Sequence, residues 1–169
     1  MNGPKNSDLW NECLRRIYSD NRIFIIDSTL DRSDFLALLD NIDLVISLHR
    51  AEGFGRLMAE AFLYGKTSIA SRYSGNLEYM AENNSYLVDG ETLPLFHNDY
   101  LFSNGKVWFQ PDINHAAYLM NYAYNNKEEN ERKAMIGKNY IENNHSLISA
   151  GKQIKKELEK ISCITKGNK

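Results

Sequence analysis

The chain has 169 residues, 43% of them hydrophobic and 25% charged, with 20 basic against 22 acidic side chains. That length and composition predict one globular domain with a real core and exclude a mostly disordered chain. A net charge of −2 leaves no basic excess for a nucleic-acid backbone, so nucleic acid is excluded as a dedicated partner.

The opening residues 1–8 are polar and carry no apolar leader core, and no apolar run reaches membrane-spanning length, so a cytoplasmic protein is expected. A helix is predicted over Asp8 to Tyr18, capped by Ser7 or Asp8, with Leu9, Cys13 and Ile17 on one face. Arg22 to Asp27 reads as a buried parallel strand. Asp31 or Ser33 caps a second helix that carries Phe35, Leu36, Leu38 and Leu39, and Asp43 to Leu48 forms the next strand. His49 to Gly55 is a strand-to-helix loop, followed by a helix over Arg56 to Leu63 that Gly65 ends. Thr67 to Ser71 is a strand, Ser74 to Glu82 a short helix, and Ser85 to Val88 a strand. This alternation implies right-handed crossovers and an α/β fold: a Rossmann-like parallel sheet of about four to six strands with helices on both faces. Asp89 to Pro111 reads as irregular, with a short strand at Leu93 to Phe96. Helices over Asp112 to Asn125, Lys127 to Asn143 and Ser146 to Ile161 complete a helical C-terminal region, with a frayed tail from Thr165.

The chemistry concentrates after the Leu44–Leu48 strand. Ligands of open parallel sheets lie outside the carboxyl ends of the strands. Gly53 and Gly55 let backbone approach a ligand and adopt positive φ. The helix from Arg56 aims its free N–H groups and positive dipole end at that loop, which suits a phosphate or diphosphate. Glu52 in the loop and Glu60 one turn into the helix can each accept two sugar hydroxyl protons. On spacing alone the alternative is equally open: a tight glycine turn and an exposed first-turn glutamate.

The segments Ser47-Leu48-His49-Arg50-Ala51-Glu52-Gly53-Phe54-Gly55, Ala59-Glu60-Ala61, Gly65-Lys66 and Ser68-Ile69-Ala70 closely resemble the C-terminal, donor-binding domain of GT-B retaining glycosyltransferases, the glycosyl transferases group 1 family. Tyr73 to Met80, Gly105 to Asp112, Ala116-Ala117 and Met120 match as well, so the resemblance covers a core of residues 22–144. It implies transfer of a hexose-like sugar from a nucleotide-sugar donor with retention at the anomeric carbon and no obligatory metal or cofactor. It places Glu52 against the donor sugar as the catalytic carboxylate, Glu60 on the ribose, and the backbone of Gly53, Phe54, Gly55, Arg56 and Leu57 along the sugar and diphosphate. The base stacks near Ile26 and Asp27. His49 and Arg50, in the strand-end loop, are further candidates to face a phosphate or an acceptor.

The family needs two such domains. Residues 1–169 are read as a single partial C-terminal domain without the N-terminal acceptor domain: a fragment, a truncated product or one half of a split enzyme, inactive alone. The partners this implies are a nucleotide-sugar, a glycan, lipid or protein acceptor, and a separate N-terminal half. A non-catalytic nucleotide-sugar-binding remnant or regulatory module shares every one of these features, while the Glu-Gly-Phe-Gly sequence argues against a sugar-nucleotide epimerase.

The remaining singular residues read blandly. Four His and two Cys show no metal-ligand spacing. Cys13 and Cys163 are read as free thiols rather than a disulfide. Trp108 packs its segment onto the domain, and His97 and His115 are surface residues. Lys152, Lys155, Lys156 and Lys160 form a solvated strip, with contact to the inner membrane face as the alternative.

Overall fold

A computed structural model describes residues 8–96, 99, 101–102 and 104–167, and the chain divides after Leu36 into two compact units. The first unit opens with α1 (Asp8–Tyr18), where Arg15 and Arg16 pair with Glu12 one turn earlier. The strand expected over Arg22 to Asp27 is absent. Arg22 closes a turn on Asp20, donating its backbone N–H (3.0 Å) and guanidinium (2.6–2.9 Å) to that carboxylate. Ile23 to Ile26 then run without regular structure, Phe24 at 84% exposure. A β-prone run becomes a strand only when a neighbour accepts its ladder, and its own unit contains none among the described residues. Helix α2 (Arg32–Asn41) begins here. Asp31 caps it, accepting from the Asp34 N–H and the Ser33 hydroxyl, both at 2.8 Å.

The second unit is built on β1 (Leu44–Ser47), β2 (Thr67–Ser71) and β3 (Tyr86–Val88), parallel in the order β1-β2-β3. Leu44 pairs with Thr67 and Ile69 with Tyr86. The described sheet therefore has three parallel strands rather than four to six. Central β2 is buried along its whole length, as an all-apolar-or-small run between two helical layers should be. On one face Ile69, Tyr86 and Val88 meet Ala116 and Ala123 of α4 (Ile113–Asn125). The other face is covered by α3 (Arg56–Leu63) and α5 (Lys127–Asn144), which pack on each other so closely that a Cβ on Gly137 would enter the Phe62 ring. Gly65, at φ +69°, stops α3 as expected, with Lys66 N–H returning to the Ala61 carbonyl at 2.9 Å. Asp112 caps α4 through the N–H groups of Asn114 and His115.

Two expectations are corrected. The helix over Ser74 to Glu82 is a single 3-10 turn, Gly75–Glu78. Its asparagines displace helical bonding: Asn76 donates its amide to the Ser71 carbonyl, and Asn84 holds the Tyr79 carbonyl and the Ala81 N–H. The irregular stretch is an antiparallel hairpin of β4 (Gly90–Pro94) and β5 (Val107–Pro111). Pro94 and Pro111 stand at strand ends, where a missing N–H is tolerated. Its base is tied by Asp112 N–H to the Asp89 carbonyl at 2.8 Å. His115 lies there too, its Nδ1 accepting the Asp89 N–H at 3.1 Å, so it is half-buried and engaged rather than a bare surface residue. His97 falls outside the described residues, and so does the Cys163 side chain; Cys13 is exposed.

The last helix, α6 (Leu147–Gly167), outruns its predicted end. Lys155 and Lys160 pair with Glu159 and Glu157, while Lys152 and Lys156 are exposed on the same helix. No helix among the described residues is long and apolar enough to cross a membrane. Nor do the described residues gather three His, Cys, Asp or Glu side chains in a metal-holding group.

Candidate functional site

Strand β1 delivers the chain to the carboxyl end of the sheet, and residues 48–55 form the loop that enters α3. Gly55 is the turning point, left-handed at φ +87°, ψ +53°. A glycine there has no side chain to cap the helix, and among the described residues no side-chain cap bond is made to the first N–H groups of α3. Gly53 does not adopt positive φ, and a Cβ there would meet nothing within 4 Å. The close contact within the protein is at Gly75, whose Cβ would collide with the Gly53 carbonyl.

The loop is held by the segment after β2. Gly75 N–H donates to the Glu52 carbonyl at 2.9 Å, and the Ser74 hydroxyl donates to the same oxygen at 2.7 Å. Ser74 adopts φ +80°, a conformation non-glycine residues rarely take. From below, the Tyr79 hydroxyl donates to the Gly55 carbonyl at 2.5 Å, and the Phe54 ring packs 5.0 Å from the Tyr79 ring. Burial, and then the nearby Glu52 carboxylate, push the Tyr79 hydroxyl well above the usual phenol range. These residues fall in the matching segment Tyr73 to Met80, but their bracing role has no short-range signal, because each acts across 22 to 24 positions.

The predicted residues fall as follows. Glu52 is half-buried, with one carboxylate oxygen accepting its neighbour Gly53 N–H at 3.0 Å. Glu60 lies one turn into α3, its side chain 16% exposed, 3.3 Å from the Arg56 guanidinium. Leu57 is exposed on the first turn. His49 is turned inward: Nε2 donates to the Tyr73 carbonyl (3.0 Å) and Asn76 Oδ1 (3.1 Å), and Nδ1 accepts from the Ser47 hydroxyl (3.1 Å), the tautomer these partners dictate. Both ring nitrogens are engaged, so His49 fixes the loop. Arg50 is exposed and reaches β5, 2.7 Å from Gln110 Oε1 and 4.4 Å above the Trp108 ring. Its carbonyl accepts from Phe109 N–H at 2.9 Å. Ile26 and Asp27 belong to the irregular stretch of the first unit, and the site is built within the second.

Beside the loop, Phe54, Arg56, Glu60, His145 and Gln153 line a cavity of about 340 Å³. His145 packs edge-on to Phe54 at 5.4 Å, and its Nε2 is enclosed with no hydrogen-bond partner. A cavity of about 400 Å³ near Asp43, Leu44, Lys66 and Thr67 lies at the amino ends of β1 and β2, the wrong end of the sheet for a ligand of this architecture. Lys66 there donates to the Asp40 carbonyl. Arg72 is consumed by Glu82 and Asp89. Lys133, buried and held below its usual pKa by that burial, donates to the Glu82 and Ser85 carbonyls.

No protein-family profile and no curated protein sequence match this chain. Solved structures do. Anabaena Alr3699/HepE in complex with UDP and glucose superposes with a TM-score of 0.66 at 19% identity, over 89% of this chain and 35% of its own. The same protein in complex with UDP-glucose gives 0.64 at 19% identity, over 92% and 38%. The C-terminal domain of the glycosyl transferase group 1 family protein LpcC from Francisella tularensis gives 0.66 at 17% identity, over 86% of this chain and 66% of that one. The chain has the α/β fold of the C-terminal half of GT-B glycosyltransferases, and it spans about a third of the HepE chain.

Proposed function

We propose that this chain is the donor-binding domain of a retaining glycosyltransferase and holds a nucleotide-sugar at the carboxyl end of β1. The observation that carries the reading is the uncapped N-terminus of α3 behind a doubly braced Glu52–Gly55 loop, with Glu52 and Glu60 on either side of it. The complexes of HepE with UDP and UDP-glucose support a uridine diphosphate sugar as the donor to test.

In this reading the diphosphate lies on the N–H groups of Arg56 and Leu57, where peptide dipoles favour negative charge and stabilise it as it develops on the leaving group. No metal is required for that step. Glu60 accepts from the ribose hydroxyls. Glu52 faces the donor sugar and acts as the catalytic carboxylate, and the open space at Gly53 admits the sugar. His49, Ser74 and Tyr79 touch no donor atom; they position the loop. The acceptor, a glycan, lipid or protein, approaches from a facing N-terminal half, and residues 1–169 by themselves bind the donor without transferring it. The setting of this reading is cytoplasmic, with the lysines of α6 as a solvated strip in which Lys155 and Lys160 pair with Glu159 and Glu157.

Calorimetric titration with UDP and with UDP-glucose tests the assignment. Glu60→Ala removes a charged acceptor for two hydroxyls, so UDP affinity is expected to fall about ten- to hundredfold. Glu52→Ala is expected to leave UDP nearly unaffected and to weaken UDP-glucose. Equal losses for UDP in both variants refute separate roles, and no UDP binding by the unmutated chain refutes the reading.

A further inference from the structure

Six arginines, Arg15, Arg16, Arg22, Arg56, Arg72 and Arg132, each pair with a carboxylate, and Arg32 lies over the Phe35 ring at 5.6 Å. Arg50 meets a neutral amide, Gln110, and the face of an indole, Trp108. Among the described residues no carboxylate pairs with it, and it is exposed. The stack and the single N–H bond fix the guanidinium plane while leaving most of its five donors directed at solvent. The support is rigid. Phe109, between the two contact residues on β5, is buried, stacks on Tyr73 at 5.2 Å with planes 4° apart, and donates its N–H to the Arg50 carbonyl. Anchoring the hairpin does not account for an uncompensated charge, because Phe109 already supplies that anchor from the backbone. A cation held in a fixed orientation without a counter-ion is pre-organised for an oxyanion.

Its position says which oxyanion. Arg50 stands two residues before Glu52, within about 7 Å along an extended loop. It lies on the hairpin side, whereas the diphosphate of the proposed donor belongs to the α3 N-terminus beyond Gly55. We propose that Arg50, stacked on Trp108 and braced by Gln110, is a recognition site for an anionic group, a phosphate or a carboxylate, carried by the acceptor. The proposal rests on the donor-site reading for its geometry and adds the chemical class of the second substrate: a sugar phosphate or a uronate, not a neutral glycan.

The indole reports on the site directly. The chain has two tryptophans, so Trp10→Phe leaves Trp108 as the sole tryptophan signal. This variant is titrated, with and without saturating UDP, with glucose 1-phosphate, methyl glucuronide and neutral methyl glucoside. A saturable change in Trp108 emission is expected with at least one anion in the presence of UDP, and none with the neutral glycoside. The arm that responds distinguishes phosphate from carboxylate. Adding Arg50→Met should weaken the response about tenfold or more. Arg50→Lys, which keeps the charge and loses the planar stack, should recover part of it. Three results overturn the proposal: no saturable anion response in the Arg50 protein, an equal response in Arg50→Met, or displacement of UDP by the anion, which would make the diphosphate subsite its source. The UDP titration stands apart: loss of UDP binding defeats the donor reading, while an Arg50-dependent anion response without UDP would survive it.

Discussion

The loop of residues 48–55 and the β4–β5 hairpin both leave the carboxyl end of the parallel sheet, and they are stabilised in opposite ways. The hairpin makes its own bonds: the Gly90 to Pro94 strand pairs along its length with Val107 to Pro111, and Leu95 N–H adds one more rung to Lys106. The loop makes almost none internally. Ser74 and Gly75 hold it at Glu52, Tyr79 holds it at Gly55, and His49 ties its start to Tyr73 and Asn76. A segment that bonds to itself can sit wherever its base is attached. A segment that is bonded only from outside takes a conformation the surrounding structure dictates, which is what a site with positioned carboxylates needs.

The sharpest test of that contrast exchanges one hydrogen for a methyl at the support of each region. Gly75→Ala drives a Cβ into the Gly53 carbonyl, and Gly90→Ala drives one into the Gln110 carbonyl beside the Phe109 ring. Each should cost about 2–3 kcal/mol in urea denaturation, since backbone on both sides must move. Only Gly75→Ala should also abolish UDP binding; if Gly90→Ala abolishes it equally, the two regions are not independent. Gly53→Ala meets no atom within 4 Å and should leave stability within about 0.5 kcal/mol of the parent while weakening UDP-glucose.

Tyr79→Phe should have a smaller effect. The Gly55 carbonyl keeps the Ala59 N–H at 3.1 Å when the hydroxyl is removed, so about 1 kcal/mol of stability is at stake. A several-fold weaker UDP affinity is expected alongside it. An unchanged affinity would show that the brace is structural only.

The smallest effect is on alkaline stability. Burial pushes the Tyr86 hydroxyl up to about 12, and Tyr79 shifts the same way. In the unfolded chain tyrosine ionises near pH 10. Above that the unfolded state binds fewer protons, so these two groups contribute stability that is complete below about pH 10 and is lost as pH rises toward 12. Lys133, held below its usual value, works in the opposite sense up to its unfolded pKa near 10.5. Melting temperatures from pH 9 to 12 should fall less steeply in Tyr86→Phe than in the parent; an identical slope would rule out this linkage.

Local signals made much of the second unit legible. The bounds Arg56 to Leu63, the stop at Gly65, the Asp112 cap and the strands at Leu44 and Thr67 are written in runs of adjacent residues, and the structure places them there. The position of Glu52 after the carboxyl end of a parallel strand was legible for the same reason. The bracing residues were not, because Ser74, Gly75 and Tyr79 matter only through partners more than twenty positions away. Ile23 to Ile26 shows the converse: it has the composition of Leu44 to Leu48, but among the described residues its own unit contains no partner strand. The hairpin is not legible locally, because its two strands are twelve residues apart and each becomes a strand only by pairing with the other.

The tied base of the hairpin has an evolutionary and engineering consequence. Asp89 and Asp112 are already hydrogen-bonded to each other where the excursion leaves and returns. The span between Leu95 and Lys106 can therefore be lengthened, shortened or replaced without disturbing β3 or α4, and each doubling of its length costs only about 0.6 kcal/mol of closure entropy. Variation there leaves the neighbouring loop in place, because Ser74, Gly75 and Tyr79 hold it from another segment. Under the roles proposed above, such a replacement alters the acceptor side and leaves the donor side as it is.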